Sequence, residues 1–532
     1  MPRSKFDRSH GYKTTFNTGD LIPIYVDEVL PGDTLSMDLS SAIRMATPIA
    51  PVMDNSFLDV YFFSVPYRLV WEHWREFMGE NRTTHWEQPT EYEIPQIKAP
   101  TGGWLKGSLA DYMGLPTKVS NISISALPFR AYALIWNEWF RDENLQNPCM
   151  INLDETTQTG TNGTNYITDV QLGGMPAKAA KLHDYFTSAL PAPQKGPDVL
   201  LPLGQTANVI TTSTPFDTKG NYPLVMHQSV SGNGMSGGTY MVASGANQGT
   251  QVQNTNGGAS ASNTTVTPAN LIADLSQAAG ATINQLRQAF AIQRLYEKDA
   301  RGGTRYIESI KTHFGVTSPD ARQQRPEYLG GCRKNIEMDQ VIQTSSTDST
   351  TPQGNTAAYS LTTFSKSLFT KSFTEHEIVL GLAVVRTELS YQQGINRMFS
   401  RKNRFDFYWP TLANIGEQAI LNKEIYAQGT TADDEAFGYQ EAWAEYRYYP
   451  SQITGAFRSN YDQSLDFWHY GQYYQQQPVL GQSWIQQGRQ EMNRTIAVQD
   501  QLEDQFIADF YFKMTMARPM PLYSIPGLID HH

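Results

Sequence analysis

Alternation of apolar and polar residues is clearest near the C-terminal end of the chain. In FIADFYFKMTM, every second residue from Phe506 to Met516 is apolar, while Asp509 and Lys513 lie on the opposite face. A period of two is typical of a strand that buries one of its sides. We therefore expect a half-buried strand in this segment.

Further strands are predicted far from this one in the sequence. DLIPIYVDEVLPGDTLSMDL at 20–39 predicts two extended runs separated by a Pro-Gly turn. SFLDVYFFSV at 56–65 and HEIVLGLAVVRTEL at 376–389 are apolar on both faces, as expected of strands that are covered on both sides. The sequence lacks the regular strand–helix alternation of a parallel sheet. We predict a mainly β protein, a β-sandwich with inserted helices and long loops.

Helical spacing of aromatic residues occurs between the predicted strands. RLVWEHWREFMG at 68–79 and FRAYALIWNEWFRDE at 129–143 follow prolines and predict bulky core helices. A third helix is predicted to begin near Ala281 and to end at the Gly302-Gly303 pair.

A long charge-free segment extends from residue 220 to residue 273 and consists mostly of Gly, Ser, Thr, Asn and Gln. Such a segment buries too little apolar surface to offset its ordering entropy, so we expect it outside the core, mobile alone or ordered by neighbouring chains. Without charges, identical copies could cluster around a symmetry axis. A flexible linker between two domains explains the composition equally well. Candidate protrusion residues are Gly249, Asn254, Asn256, Ser260 and Asn263.

The charge balance limits the classes of partner. The 532 residues contain 41 Lys and Arg against 52 Asp and Glu, a formal net charge of −11. Overall charge therefore cannot hold nucleic acid, and any phosphate contact must be local. Cys149 and Cys332 form no CxxC pair, which argues against a disulfide framework or a thiolate metal site and favours a reducing compartment.

Two observations bear on membranes and export. The N-terminus has no apolar signal-peptide region, and the longest aliphatic run, at 378–385, is too short to span a bilayer. We expect neither membrane insertion nor export by the general secretory route.

Catalytic motifs find little support. Gly232, Gly234 and Gly237 match GxGxxG, but they follow no apolar strand and open no helix, so a dinucleotide site is not expected. The histidines show no metal-ligand spacing. Acidic residues at 433–435 and 500–504 could supply a carboxylate pair for glycoside hydrolysis, although solvated loop acids are the simpler interpretation. We expect no catalytic residues and no cofactor.

Two groups of cations are candidates for nucleic-acid contacts. The first group is Arg3, Lys5, Arg8 and Lys13 in a basic N-terminal arm, residues 1–19. Aromatic side chains in the same arm could stack on unpaired bases. On one face of the third helix lie Arg287, Arg294 and Lys298. The arm is equally consistent with a disordered tail, and a solvated or salt-bridged face is the simpler interpretation of the helix.

Tyr and Trp are unusually dense between residues 437 and 484. Amphipathic rings of this kind could be buried between subunits with their hydroxyls still bonded, or they could form a sugar-binding surface. The candidate subunit-interface residues are Trp443, Tyr446, Tyr448, Tyr449, Trp468, Tyr470 and Tyr473.

Several long blocks resemble the major capsid proteins of microviruses, in particular the gokushovirus group of small single-stranded-DNA bacteriophages. They are FLDVYFFSVPYRLVWEHW near the start, LRQAFAIQRLYEKDARGGTRYIESIKTHFGV at 286–316, RPEYLGG at 325–331, YQEAWAEYRYYPSQITGAFRS at 439–459 and the ending RPMPLYSIPGLIDHH. The resemblance implies a single eight-stranded antiparallel jelly-roll β-sandwich with large helical and loop insertions. It also implies a T=1 icosahedral shell around circular single-stranded DNA. One insertion of gokushovirus capsids forms protrusions at the threefold axes that are thought to face the host.

This resemblance suggests a division of the chain. Residues 1–19 are an interior arm, and 20–219 hold the first part of the jelly roll with helical insertions. Residues 220–273 are the candidate threefold protrusion, and 274–370 are a helical and loop insertion. Residues 371–532 hold the later strands, with the aromatic-rich insertion at 437–484 and the C-terminal strand.

The resemblance also implies partners. They are identical subunits in pentamers and threefold contacts, packaged single-stranded DNA, a small basic DNA-binding protein, a DNA pilot protein and a host cell-surface receptor. An acidic chain needs such a basic companion, or cations, to neutralise a genome. A divalent cation between subunits is compatible with this scheme. We expect the protein in the virion after synthesis in the cytoplasm of a bacterial host.

Two other functions are conceivable. A polysaccharide-binding or hydrolysing β-sandwich protein would use the Tyr and Trp residues and the acids, but it would carry a secretion signal. A host-recognition spike would show a fibrous or repeated pattern, and none is visible.

Overall fold

The computed structural model describes residues 3–81, 91–199, 283–349, 352–354, 356–500 and 502–523, and six strand segments between 208 and 274. The chain forms two compact units. The larger unit contains Met1–Lys195 and Glu297–His532, and the smaller unit is Gly196–Tyr296. The smaller unit is thus an insertion within the sequence of the larger one.

Nine strands of the larger unit build two antiparallel sheets. In chain order they are β1 Ser4–Asp7, β2 His10–Phe16, β3 Ile22–Val29, β4 Thr34–Met45, β5 Ser56–Pro66, β6 Glu327–Asn335, β7 Thr362–Ser372, β8 Glu377–Thr387 and β9 Phe506–Arg518. In the first sheet the order is β2-β9-β4-β7, and β1 also pairs with β9. In the second sheet the order is β3-β8-β5-β6.

The strand pairs are nested along the chain. Strand β2 pairs with β9, β3 with β8, β4 with β7, and β5 with β6. Successive pairs lie in alternate sheets, and the contacts of β9 with β4 and of β8 with β5 join them. Because the outermost pair joins the two ends of the chain, strands that are remote in sequence share one core. The prediction that terminal segments close a common β body is confirmed.

The two sheets enclose the main core. On β9, the predicted apolar face is fully buried, whereas Ile507 and Tyr511 on the opposite face are about half exposed. This face packs against Met37 and Leu39 of β4 and against the inward side chains of the second sheet, such as Phe62. Each large side chain buried in this way contributes about 2 kcal/mol through removal of apolar surface from water.

The second sheet is also covered on its other face. Its outward residues, including Phe63 and Leu382, join a second core with Trp71, Tyr132 and Trp136 of the segment between β5 and β6. This double burial explains why the segments at 56–65 and 376–389 are apolar on both faces.

Eight α-helices occur among the described residues. They are α1 Trp74–Phe77, α2 Leu109–Tyr112, α3 Leu127–Ile135, α4 Ile283–Gly302, α5 Tyr306–Phe314, α6 Asn422–Ile425, α7 Gln482–Ile485 and α8 Gln490–Asn493. The predicted third helix is confirmed by α4, and α3 continues into a π turn at Trp136–Phe140. The helix predicted at 68–79 is wrong in extent, because its aromatic residues pack around a bend before α1, with Tyr67 stacked on Trp74. Within the described residues, no helix is both long and apolar enough to cross a bilayer.

Smaller sheets decorate the insertions of the larger unit. Their strands are Gln96–Lys98, Ser123–Ser125, Gln158–Thr159, Met338–Ile342, Thr356–Ser360, Ser390–Tyr391, Glu417–Leu421, Ala436–Glu441 and Ser451–Gln452. The insertion between β8 and β9 has a third core, in which Tyr391, Ile420 and Phe437 meet Phe186 and Ile485.

The smaller unit has β structure of its own. Its four-stranded sheet has the order Gln248–Asn254, Thr239–Gly245, Val225–Ser229 and Thr265–Pro268, and Leu271–Asp274 pairs with Asn208–Thr211. The linker interpretation of the charge-free segment is wrong, because both flanks of the smaller unit belong to the same larger unit. Strands form there without charges because Val, Thr and Tyr favour extended backbone.

Candidate functional site

The N-terminal basic segment is part of a sheet and not a free arm. Ser4–Asp7 and His10–Phe16 form antiparallel ladders with β9. Phe16 is buried in the main core, and the hydroxyl of Tyr12 donates to the carbonyl oxygen of Tyr112 at 2.8 Å. The expectation of a flexible terminus is therefore wrong, because ladder hydrogen bonds, the buried Phe16 ring and the partly buried Tyr12 ring fix residues 4–16.

The pairing gathers several cations on the outward side of the first sheet, the open face. Lys5 and Lys13 are exposed there, and the register adds Arg44 of β4 and Lys513 of β9. The sequence alone gives no reason to single out Arg44 or Lys513 as a site residue, since each is a single charge in an alternating strand. Only the outward parity of β4 and β9 could have identified them.

Carboxylates share the open face, so its charge is small. Asp7, Asp38 and Asp509 oppose the four cations, which leaves a net charge of +1 on a chain of −11. Lys13 Nζ lies 3.5 Å from Asp509 Oδ1, but 78% of the lysine side chain is exposed. An exposed pair of this kind contributes less than about 1 kcal/mol. Lys13 can therefore exchange this partner for a phosphate at little cost.

Short hydroxyl side chains line the part of the open face where β4 and β7 pair. Three pairs connect β4 with β7 across this face, with oxygen–oxygen distances of 2.8 to 2.9 Å: Thr34 with Ser372, Ser36 with Thr370, and Ser40 with Ser365. Hydroxyls donate to phosphate oxygens as readily as to each other. The open face thus combines mobile cations with a row of hydrogen-bond donors.

Arg8 has a different position from the other N-terminal cations. It binds the carboxylate of Asp27 on β3 with both guanidinium nitrogens, with Nη2 at 3.1 Å from Oδ1. The hydroxyl of Tyr25 donates to the same carboxylate at 2.9 Å. A bidentate pair of this type fixes geometry strongly. Arg8 therefore ties the β1–β2 turn to the second sheet, and a contact of Arg8 with DNA, which would compete with this ion pair, stays a prediction.

The basic residues of α4 are exposed as predicted. Arg287, Arg294 and Lys298 all lie on solvent-facing positions of the helix. The next cations along the chain are engaged: Arg301 pairs with Glu417, and Arg305 Nε lies 2.5 Å from Glu143 Oε1. The salt-bridged interpretation thus applies to the end of the basic stretch, and contact of the first three residues with nucleic acid stays a prediction.

The aromatic-rich segment is divided between interior and surface. Trp443 and Tyr470 are buried inside the subunit, and the Trp443 indole donates to the carbonyl oxygen of Leu412 at 2.8 Å. Both rings pack inside their own subunit and leave almost no surface for a neighbour, and their place at a subunit interface stays a prediction. The other five candidates keep partial or full exposure, with Trp468 and Tyr473 half-buried and Tyr446, Tyr448 and Tyr449 exposed.

The protrusion candidates are only partly described. Gly249 and Asn254 belong to the strand Gln248–Asn254 of the smaller unit. Asn256, Ser260, Asn263 and the GxGxxG glycines lie outside the described residues.

The acids considered for hydrolysis have structural partners. Asp433 accepts hydrogen bonds from the backbone N–H groups of residues 428 and 429. Three more of these acids form ion pairs, namely Asp434 with Lys423, Asp500 with Arg489, and Asp504 with Lys106. These contacts leave the glycoside-hydrolysis alternative without support.

The described part of the chain offers no candidate metal site, and the thiol of Cys149 is unreactive. No group of three or more His, Cys, Asp or Glu residues there could hold an ion, so a cation between subunits stays a prediction. Burial raises the pKa of the Cys149 thiol to about 12, which keeps it protonated and unreactive.

Comparison with known proteins identifies the family. The model of a family described as capsid protein (F protein) matches residues 1–528. Three curated relatives, each described as capsid protein VP1, align with 99% of this chain. The protein of Bdellovibrio phage phiMH2K is 46% identical, with 95% of its length covered. Those of Spiroplasma virus 4 and Chlamydia phage 1 are 44% and 41% identical, each with 96% of its length covered. Since the match extends over nearly the whole chain, the protein belongs to the phage capsid protein (F protein) family and is a structural capsid protein of a virion.

Proposed function

We propose that this protein forms a T=1 icosahedral shell around circular single-stranded DNA and that its larger unit is a single eight-stranded jelly roll. The observation that carries the proposal is the nested pairing of β2 to β9 in two sheets. A long hairpin folded over itself produces this order, and viral capsid domains use it repeatedly. Strand β1 extends the position of β2 along the same edge of β9.

The open face of the first sheet is the proposed surface for the genome. Three observations support it: the face is polar, it carries a small positive charge, and the larger unit covers the equivalent face of the second sheet instead. Because its net charge is only +1, most phosphate charge must be balanced by cations or by a small basic DNA-binding protein. A DNA pilot protein would complete the particle.

The smaller unit is the proposed protrusion at the threefold axes and takes part in attachment to a host receptor. Support comes from its position between β5 and β6 of the larger unit and from its charge-free stretch at 220–273. A protein element of this kind can be changed without disturbing the strands on either side, because loops and insertions carry recognition while the scaffold keeps the fold.

Charge removal on the open face tests the genome contact. Lys5, Lys13, Arg44 and Lys513 would be replaced by Gln together, and the chain would be expressed with the remaining virion genes. Particle yield should be unchanged, while the DNA content per particle should fall and become more sensitive to salt. The matched control replaces the exposed α4 cations Arg287, Arg294 and Lys298 by Gln. Full DNA content in the first variant would contradict the role of the open face, and loss only in the second would transfer that role to α4.

The shell and the protrusion have a common test. Cryo-electron microscopy of wild-type particles should show closed T=1 shells, and replacement of 220–273 by a short Gly-Ser linker should leave the shell intact but abolish attachment to host cells. Open sheets or filaments in place of closed shells would refute the architecture. Normal attachment by the shortened particle would refute the role of the protrusion.

A further inference from the structure

The insertion between β8 and β9 exposes an unusual number of aromatic side chains. Eight of them lie in two segments, 399–409 and 446–449, and are 40–75% exposed. We name them the aromatic surface: Phe399, Phe405, Phe407, Tyr408, Trp409, Tyr446, Tyr448 and Tyr449. At about 200 Å² per ring, they present on the order of 900 Å² to solvent. The largest apolar patch of an ordinary monomer is about 300–600 Å².

The aromatic surface is held in place from behind. The guanidinium of Arg401 lies 5.2 Å from the Phe407 ring and 4.6 Å from the Tyr446 ring, and its Nη2 is 3.4 Å from Glu445 Oε1. Tyr408 packs edge-on against the buried Trp443 at 5.8 Å. These contacts link the two segments through Phe407, Tyr408 and Tyr446. Because these three rings are already held in place, a partner that covers them loses little conformational entropy there.

We propose that the aromatic surface is the lateral contact through which one subunit binds the next copy of this chain. The inference rests on the proposed shell and specifies one of its interfaces. An area on the order of 900 Å² matches the contribution of about 800 Å² per partner in a stable protein–protein interface. Trp, Tyr, Phe and Arg are also the residues that dominate binding energy at such interfaces.

Two of the arginines beside the aromatic surface are already paired within the subunit, which favours a protein partner over nucleic acid. Arg397 donates to the carbonyl oxygen of Ala419 at 2.8 Å and lies 3.7 Å from Glu424 Oε1, and Arg401 is paired with Glu445. Both arginine side chains are largely buried. Single-stranded DNA would need a continuous positive groove beside the rings. In the segment 399–409 the exposed cations are Lys402 and Arg404, and two cations do not make such a groove.

Charge also favours a second copy. In residues 395–415 the two exposed cations, Lys402 and Arg404, are offset only by Asp406, a net charge of +1, so the other residues of the chain sum to −12. A neighbouring copy therefore presents an acidic body to a basic, aromatic patch. Contacts that close around fivefold or threefold axes are head-to-tail, so the aromatic surface meets a different region of its neighbour and not itself.

A charged substitution within the aromatic surface tests this interface. Phe405→Asp introduces a carboxylate at a side chain that is 72% exposed, and the matched control Phe314→Asp changes a ring in α5 that is 79% exposed. The two variants and the wild type would be expressed with the remaining virion genes. Circular dichroism checks folding, and gradient sedimentation with electron microscopy measures particles. We expect the control to assemble normally and Phe405→Asp to lower particle yield at least tenfold while its subunits stay folded.

The outcomes separate the two proposals. Absence of closed particles from the wild type would refute the shell. Wild-type particle yield from Phe405→Asp would refute only the interface. Normal yield with reduced DNA content would overturn the inference in favour of a nucleic-acid contact. If Phe405→Asp fails to fold, Phe405→Ser replaces it and is held to the same comparison.

Discussion

Glu377 is expected to make the larger unit less stable as pH rises, the opposite of an ordinary ion-paired carboxylate. It begins β8 in the middle of the second sheet, opposite Pro66 of β5 and Val29 of β3. The residue is buried, with 7% of its surface exposed. A carboxyl group in this position is easier to keep neutral than to ionise.

Burial is the main cause of the perturbation. It raises the pKa of Glu377 from 4.5 to about 7. The nearby Ser64 hydroxyl opposes this rise, the carboxylates of Glu375 and Glu327 add to it, and Lys371 opposes it. Because the charged neighbours are partly exposed, salt should weaken their contributions but not that of burial.

The sign follows from the two protonation states. Between pH 4.5 and about 7, the folded chain keeps a proton that the unfolded chain releases. The free energy of unfolding therefore falls by about 1.4 kcal/mol per pH unit, by about 3 kcal/mol in total, and the loss is complete above the folded pKa. Glu377→Gln removes the titration and keeps the shape of the protonated side chain. The variant should match the wild type at low pH and exceed it by up to about 3 kcal/mol at high pH.

Urea unfolding of the unassembled subunit measures this difference. Wild type, Glu377→Gln and the control Glu388→Gln, an exposed residue just beyond the end of β8, would be compared at about pH 5 and about pH 8, on either side of the folded pKa. The difference between Glu377→Gln and wild type should grow between the two pH values, while the control should show no such growth. A difference that is independent of pH would refute the reasoning.

Three further substitutions should lower the free energy of unfolding, measured by urea denaturation. Phe510→Ala empties a fully buried site between the sheets and should cost about 4 kcal/mol, whereas Tyr511→Ala, on the exposed side of the same strand, should cost less than about 1 kcal/mol. Asp59→Asn removes the buried carboxylate that binds Arg386, with Nε at 3.0 Å from Oδ2, and should cost about 3 kcal/mol because a largely buried cation loses its partner. Gly19→Ala places a Cβ against a backbone carbonyl oxygen at a positive φ of 84° and should cost about 2 kcal/mol. A small effect of Phe510→Ala, Asp59→Asn or Gly19→Ala would contradict the corresponding contact.

The fold class and several strands could be predicted from local pattern. Alternation is strong in β9, and the Pro-Gly pair separates β3 from β4, since these signals depend on neighbouring residues only. β1 and β2 escaped prediction because SKFD and HGYKTTF are polar and contain few apolar positions. They become strands because the edge of β9 offers hydrogen bonds, a partner about 500 residues away that no local pattern reveals.

The candidate sites depend on the same long-range information. Trp443 and Tyr446 lie three residues apart in one aromatic stretch, yet one is buried and the other is half exposed. Composition gives both the same prediction, and only tertiary packing separates them. Likewise, Lys513 and Lys5 join one surface because of strand register, which the sequence does not specify.

Under the proposed lateral contact, the aromatic surface is buried only when subunits assemble, and the energetic scale of that step has a consequence for the shell. Covering on the order of 900 Å² of aromatic area is worth roughly 20 kcal/mol at 25 cal/mol per Å². Loss of translational and rotational freedom opposes each association by about 4–15 kcal/mol, and ordering of side chains adds to this cost. The difference is roughly 5 to 16 kcal/mol, so a single lateral contact of this area can range from weak to tight. A subunit in a closed shell makes several contacts at once, and only its first contact bears the full loss of freedom. A closed particle should therefore resist dissociation far more strongly than any pair of subunits.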